Sequence, residues 1–220
     1  LDSYCFSVYI IDVMIWVLVL SGNTDVNTFT YKAVETLTKS DIDALTDLFV
    51  KYLTNEIPYV LDPVMIATSG DRLIDEKAQD ALEQKLLSKA TIVTPNIPEI
   101  QEIVGFNVVT EEDIDRAGKI ILNEFGSESV LIKGGHLETA TDYLYIKDGT
   151  KKVFTSEKFQ TKHTHGTGCT LSAVITAELA KGKSIEEAVI IGKKFITEAI
   201  KYTPKLGHGN GPVNHFAYKD

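Results

Sequence analysis

The chain reads as an α/β protein, with a mostly parallel sheet and helices on both of its faces. Two observations predict this. Short apolar runs rich in β-branched residues alternate with helical segments over short connections, as in successive βαβ units. Polar residues also gather just past the C-terminal end of three of these runs, the edge where open parallel sheets build ligand sites. With 220 residues, 44% of them hydrophobic and 24% charged, the chain buries a substantial core and is expected to form one domain over 1–220 without a linker or repeat.

The elements follow in order. Tyr4 to Leu20, YCFSVYIIDVMIWVLVL, reads as a continuous buried strand of a parallel sheet. A signal peptide is disfavoured by the lack of a basic region before it, and a membrane span by Asp12 in its middle. Ser40 and Asp43 are spaced as a capping box for a helix over SDIDALTDLFVKYL. Tyr59–Leu61 is a short strand ending at Asp62-Pro63, followed by a helix from Asp75 to Leu87. Thr91–Val93 is the next strand, ending at Thr94-Pro95-Asn96. A helix from Ile97 to Val104 stops at Gly105, and another runs from its cap at Thr110 to Phe125 before Gly126. Ser129–Ile132 is a third strand, ending at Lys133-Gly134-Gly135. Asp142–Ile146 and Lys152–Thr155 flank Asp148-Gly149 as a hairpin. A loop of small residues, His165 to Gly168, then opens a helix over Leu171–Ala180. Ser184 and Glu187 box the start of a last helix to Tyr202.

Composition excludes some functions. The 22 Lys and Arg face 31 Asp and Glu, a net charge of −9, which is a poor match for a phosphate backbone; no nucleic-acid partner and no membrane partner are expected. Cys5 and Cys169 make neither a disulfide framework nor a zinc cage, so a reducing, cytoplasmic compartment is expected. The pair His163 and His165 lacks a third convincing ligand and reads as hydrogen-bonded loop histidines. No G-x-x-x-x-G-K-[ST] and no strand-borne G-x-G-x-x-G occurs, so neither a P-loop nor a Rossmann dinucleotide site is expected.

Three polar strand ends on one edge, Asp62, Thr94-Pro95-Asn96 and Lys133-Gly134-Gly135, point to a shared site, although each alone is ordinary turn chemistry. HGTGCT, His165 to Thr170, is the strongest local signal. Its glycines at a helix start let backbone N–H groups converge as an anion hole suited to phosphate. The same field lowers a thiol pKa, which would make Cys169 a thiolate or proton acceptor; the competing reading is a glycine turn before a buried, inert cysteine. Asn96 and Glu99 are spaced to cap a helix, and also to hold a hydrated Mg²⁺ against phosphate oxygens.

Taken together, LDPVMIATSGDRL, TIVTPNIPEIQEIVG, VLIKGGH, THGTGCTLSA and GNGPVNHF strongly resemble, in order and spacing, the hydroxymethylpyrimidine/phosphomethylpyrimidine kinases of the ribokinase-like superfamily. The resemblance runs over 58–216. It implies a ribokinase-like three-layer sandwich that uses ATP and Mg²⁺ to phosphorylate a small pyrimidine. It also implies roles for individual residues. Cys169 would be the base for the substrate hydroxymethyl group, with Gly166, Thr167 and Gly168 forming the anion hole. Asp62, Asn96 and Glu99 would organise Mg²⁺. Lys133, Thr94 and Asn96, with the Gly207, Gly209 and Gly211 loop, would bind the nucleotide, and Val64 would lie against the ring. Relatives in this superfamily are often dimers, so a homodimer is compatible with the resemblance, while the sequence itself carries no direct sign of oligomeric state.

Residues 1–57 diverge from the family pattern. The nearest analogue of the family's Gly-Ser-Asp segment is Leu20-Ser21-Gly22-Asn23-Thr24-Asp25, which would make Asp25 the acid of the substrate pocket. Tens of family residues have no counterpart between there and Asp62. Two alternatives therefore stand beside the pyrimidine kinase: a pyridoxal or pyridoxine kinase, and a non-catalytic nucleotide- or pyrimidine-binding relative.

Overall fold

The computed structural model describes residues 5–11, 14–20, 27–30, 39–52, 57–65, 72–135, 140–205 and 209–219. Eight strands form one sheet: β1 (Cys5–Ile11), β2 (Met14–Leu20), β3 (Asn27–Thr30), β4 (Tyr59–Asp62), β5 (Ile92–Val93), β6 (Ser129–Gly134), β7 (Ala140–Ile146) and β8 (Lys151–Ser156). Their spatial order is β3-β2-β1-β4-β5-β6-β7-β8. The centre is parallel, β1 with β4, β4 with β5 and β5 with β6, and antiparallel strands extend it at both edges.

The α/β architecture is as expected; the opening run is not. In place of one continuous strand, Tyr4 to Leu20 holds two, paired antiparallel with Cys5 opposite Leu20 and Ile11 opposite Met14. Hydropathy alone cannot separate one long buried strand from two that pair with each other, because both are apolar throughout. Asp12, the single acid in the run, lies outside the described residues, as do Asp25 and Gly207.

Strand alternation divides the core in two. Tyr59, Leu61, Val93, Val130, Ile132, Tyr143 and Tyr145 face one way, into a cluster with Ile42, Ala78, Leu82, Ile100, Ile114 and Ile121. These come from α1 (Lys39–Tyr52), α2 (Glu76–Lys85), α3 (Ile97–Val104) and α4 (Glu111–Asn123). Val60, Ile92, Leu131 and Leu144 face the other way. They meet α5 (Thr167–Ala180) and α6 (Ile185–Lys201) through Leu171, Ile175, Leu179, Val189 and Ile196. The sheet is thus the middle of three layers.

Local chemistry sets the helix starts. Asp75 caps α2 by accepting from Ala78 N–H at 2.7 Å. Asn96, Thr110 and Ser184 each form a reciprocal capping box, with Glu99, Asp113 and Glu187. Gly105 ends α3 at φ 74°, a left-handed turn that glycine adopts without strain. The box expected at Ser40 is not formed. Helix α1 already begins at Lys39, and Asp43 instead pairs with Lys39 at 2.5 Å and with Lys85 of α2 at 2.6 Å. Helix α5 starts at Thr167, four residues before the expected Leu171, with Gly166 at φ 81° as its N-cap. The glycine loop is therefore the first helical turn itself.

Close packing on α4 yields a measurable consequence. A Cβ at Gly118 would come within 2.7 Å of the Tyr145 ring, and that ring is anchored by its hydroxyl donating to Asp115 at 2.5 Å. Gly118→Ala gains about 1 kcal/mol of helix propensity but overpacks a site that has little room to relax. We expect a net loss of about 1–2 kcal/mol, read as a lower urea midpoint with an unchanged slope. An unchanged or raised midpoint would show that the ring yields.

Candidate active site

The polar site continues the apolar row of one sheet face. Val60, Ile92 and Leu131 lie on the α5/α6 side of the sheet. Two residues further along each strand, the same face carries Asp62, Thr94 and Lys133. Backbone bonds hold these ends level: Thr94 N–H donates to Leu61 O at 2.9 Å and Lys133 N–H to Pro95 O at 2.8 Å. Helix α5 packs across β1 and β4, which sets its first turn above this row.

Asp62 is the centre of the cluster. It is 1% exposed, and its Oδ1 accepts from Lys133 Nζ at 2.8 Å and from Thr94 Oγ1 at 3.0 Å. Its Oδ2 is buried with no hydrogen-bond partner among the described residues. Gly168 lies directly above. A Cβ there would stand 3.2 Å from Lys133 Nζ and 3.8 Å from Asp62 Oδ2, so glycine keeps the space over the free oxygen open. Burial opposes the charge on Lys133, but Asp62 and Glu99 outweigh it and hold the ammonium pKa above its ordinary range.

Asn96 and Glu99 form the expected cap in both directions: Asn96 N–H donates to Glu99 Oε2 at 2.7 Å and Glu99 N–H to Asn96 Oδ1 at 2.9 Å. Glu99 is almost wholly buried. Burial raises its pKa, Lys133 opposes, Asp62 adds to the rise and the Asn96 amide opposes, which together leave it raised to about 7. Because Asn96 Oδ1 serves the cap, Asn96 enters the site as the residue that orients Glu99.

Cys169, in the first turn of α5, is half-buried. The expected lowering of its thiol pKa is not what the site produces. Burial raises it, Asp62 raises it further, Lys133 opposes, and Glu99 adds to the rise, for a value of about 12. A helix N-terminus carries roughly half a unit charge, too little to offset desolvation beside a full carboxylate. Thr167, expected in the anion hole, has its N–H and hydroxyl both donating to Thr164 O, at 3.2 and 2.7 Å. Gly166 O accepts the first helical bond, from Thr170 N–H at 2.9 Å.

The remaining expected residues are distributed around this centre. Thr94 is fully buried behind Asp62, so its hydroxyl supports the carboxylate and is not a surface offered to a nucleotide. Val64 is half-buried against the α1–α4 core. Gly211 is tied to the loop before α5: its N–H donates to His163 Nδ1 at 3.2 Å and its carbonyl accepts from His165 N–H at 3.2 Å. His163 is thus a hydrogen-bonded loop histidine, as expected. Gly209 sits in an open bend two residues earlier, with nothing within 4 Å of where a Cβ would lie.

Two contributions escaped sequence reading. Ser172, one turn beyond Gly168, is fully buried and contacts Thr94 Oγ1 at 3.0 Å and Gly168 O at 3.1 Å. Asp142, opposite Lys133 in the β6/β7 pair, accepts from Gly134 N–H at 3.0 Å and from Lys193 Nζ at 2.7 Å. A charge inside an otherwise apolar strand face, as Asp142 is in TDYLYI, was the available signal; a single serine in an apolar helix carries none.

Magnesium commonly binds through one or two carboxylates while keeping several waters. The unpartnered Oδ2 of Asp62, with the second oxygen of Glu99, fits that requirement. Among the described residues no group of three or more His, Cys, Asp or Glu forms an all-protein metal cage, and none of their helices is long and apolar enough to cross a membrane.

The model of the phosphomethylpyrimidine kinase family matches residues 29–214. A hydroxymethylpyrimidine/phosphomethylpyrimidine kinase from Staphylococcus aureus (strain MRSA252) is 57% identical over 165 residues, covering 74% of this chain and 59% of the relative. The chain thus spans about three-fifths of the length of that relative. Among solved structures, pyridoxal kinase from Staphylococcus aureus in complex with AMP-PCP and pyridoxal superposes with a TM-score of 0.72 at 35% identity, covering 82% of this chain and 64% of that one. An ADP complex of Bacillus subtilis pyridoxal kinase superposes at 0.73 with 30% identity, covering 93% and 85%. The three-layer sandwich is the ribokinase-like fold, and with its family model matched from residue 29 to residue 214 the chain belongs to the phosphomethylpyrimidine kinase family.

Proposed function

We propose that this chain transfers the γ-phosphoryl group of ATP to the hydroxymethyl group of 4-amino-5-hydroxymethyl-2-methylpyrimidine, and to the monophosphate so formed, as in thiamine biosynthesis. The observation that carries the reading is Asp62: a buried carboxylate, paired with Lys133 on one oxygen and unpartnered on the other, under the glycine turn that opens α5. The hydroxymethylpyrimidine/phosphomethylpyrimidine kinase at 57% identity supports the choice of substrate. A pyridoxal acceptor is the second reading, favoured by the two pyridoxal kinases that share the fold.

Each residue then has a task. Bound Mg²⁺ supplies charge neutralisation to the phosphates, and Asp62 Oδ2 and Glu99 are the oxygens that would hold it and its waters. Lys133 adds a fixed positive charge beside them. Phosphoryl transfer passes through a loose transition state, so positioning and charge are most of what the protein must supply. The substrate oxygen bonds to the γ-phosphorus as the bond from that phosphorus to the bridging oxygen breaks, leaving ADP. The proton lost by the substrate hydroxyl passes to the sulfur of Cys169, which must be ionised to accept it.

With the Cys169 thiol at about 12, its reactive form is scarce near neutrality and grows with pH. ADP release with Mg²⁺-ATP and hydroxymethylpyrimidine should therefore climb from pH 7 to pH 9, by up to about tenfold per unit. Cys169→Ala should lose it by at least about a hundredfold. Equal turnover in the two proteins would remove Cys169 from the mechanism, and faster turnover on pyridoxal would select the second reading.

Glu99 gives an independent test. Its pKa of about 7 leaves the carboxyl part-protonated at neutral pH. A cation beside it favours the carboxylate, lowers that pKa and expels the proton. Calorimetry of Mg²⁺-ADP binding in two buffers of different ionisation enthalpy should show release of about half a proton at pH 7. Release should fade above pH 8, where Glu99 is already ionised, and vanish in Glu99→Gln. Proton uptake would contradict the assignment.

A further inference from the structure

Ser172 is buried, polar and unassigned by the proposed function, and its bonds have a direction. Thr94 and Ser172 each carry one hydroxyl proton. The Thr94 proton has Asp62 Oδ1 at 3.0 Å as a charged acceptor, better placed than Leu61 O at 3.4 Å. With that proton in use, the 3.0 Å contact between the two hydroxyls is a hydrogen bond only if Ser172 donates to Thr94. Ser172 Oγ also donates to Gly168 O at 3.1 Å, in the same turn of α5 whose first residues cover the site, so its one proton is shared between Gly168 O and Thr94 Oγ1 as a three-centre bond. Asp62, Thr94 and Ser172 are all within 1% of complete burial, so water does not substitute for any link.

We propose that Ser172 is a positioning residue, the origin of a buried relay Ser172 to Thr94 to Asp62 that fixes the carboxylate with Oδ1 inward and Oδ2 facing the site. The inference rests on the reading of Asp62 as the cation-facing carboxylate. Lys133 and Thr94 together determine which oxygen is engaged, and Ser172 holds the Thr94 hydroxyl in its donating orientation. Without the relay the carboxylate is free to rotate, and its two oxygens compete for Lys133. The loss falls on the Mg²⁺-dependent part of nucleotide binding, since the direct contacts of the nucleotide are untouched.

The test is the ratio of ADP dissociation constants without and with Mg²⁺, measured by calorimetry on the whole chain, with thermal melting as a check of folding. Ser172→Ala and Thr94→Val should each reduce that ratio about three- to tenfold, with ADP binding in the absence of Mg²⁺ unchanged. Thr94→Ser, which keeps the hydroxyl, should retain the wild-type ratio, and Asp62→Asn should abolish the Mg²⁺ effect. An unchanged ratio in Ser172→Ala and Thr94→Val, with the effect lost in Asp62→Asn, overturns the relay alone. A wild-type ratio in Asp62→Asn overturns the relay together with the reading of Asp62. A loss in Thr94→Ser equal to that in Thr94→Val also overturns it, because packing and not the hydroxyl would then be responsible.

Discussion

A carboxylate with no exposure to water must be paired or neutralised, and Asp62 sets the arrangement of everything around it. Its partner Lys133 lies on β6, with β5 between the two strands. Adjacent strands are about 4.8 Å apart, so the lysine side chain must pass over β5 to reach Asp62. The residue it passes is Thr94, small enough to lie beneath and polar enough to donate to the same oxygen. A buried ion pair of this kind contributes little net stability, and removing one partner costs about 3–5 kcal/mol. Its value is geometric: one oxygen is held, the other is left unpartnered, and a fixed positive charge stands beside both.

That centre also decides the chemistry of Cys169. Glycines at a helix start suggest a depressed thiol pKa, and in a solvated site they would produce one. Here desolvation and the Asp62 charge act together in the opposite direction, and Lys133, already engaged by Asp62, offsets only part of them. A reactive thiolate resting in this site would sit beside two carboxylates and meet incoming phosphates. A protonated thiol avoids that repulsion. At neutral pH the proposed base therefore rests mostly in its unreactive, protonated form.

Much of this was legible in the sequence because burial and chemistry share one periodicity. Asp62, Thr94 and Lys133 follow Val60, Ile92 and Leu131 at strand spacing, so apolar runs with polar ends located both the core and the site. Capping residues were readable for the same local reason: Asn96, Thr110 and Ser184 act within one turn. What was not legible depends on distant partners. Ser40 and Asp43 had the spacing of a box, but Lys85 from another helix takes the Asp43 carboxylate. Glycines at 166 and 168 read as loop, yet only Gly166 needs a left-handed backbone; Gly168 lies in the first helical turn, where its lack of a side chain keeps the site open. Tyr4 to Leu20 looked like one strand because hydropathy does not record strand direction.

The proposed transfer to a small aromatic ring makes two demands, and the placement of these residues separates them. In the proposed reaction, phosphate and cation chemistry falls to Asp62, Glu99, Lys133 and the start of α5, all within the segment that matches the family motifs. Discrimination between rings of similar size rests on a few hydrogen bonds to the ring edge. Of the residues expected to touch the ring, Val64 is apolar and packs mainly into the α1–α4 core, so it offers surface and no polar readout. Selectivity must then come from elements outside the phosphate-handling row. On the proposed reading a pyrimidine and a pyridine acceptor can accordingly share one transfer apparatus, in which the sheet edge would deliver the phosphoryl group and a pocket wall outside that row would select what receives it.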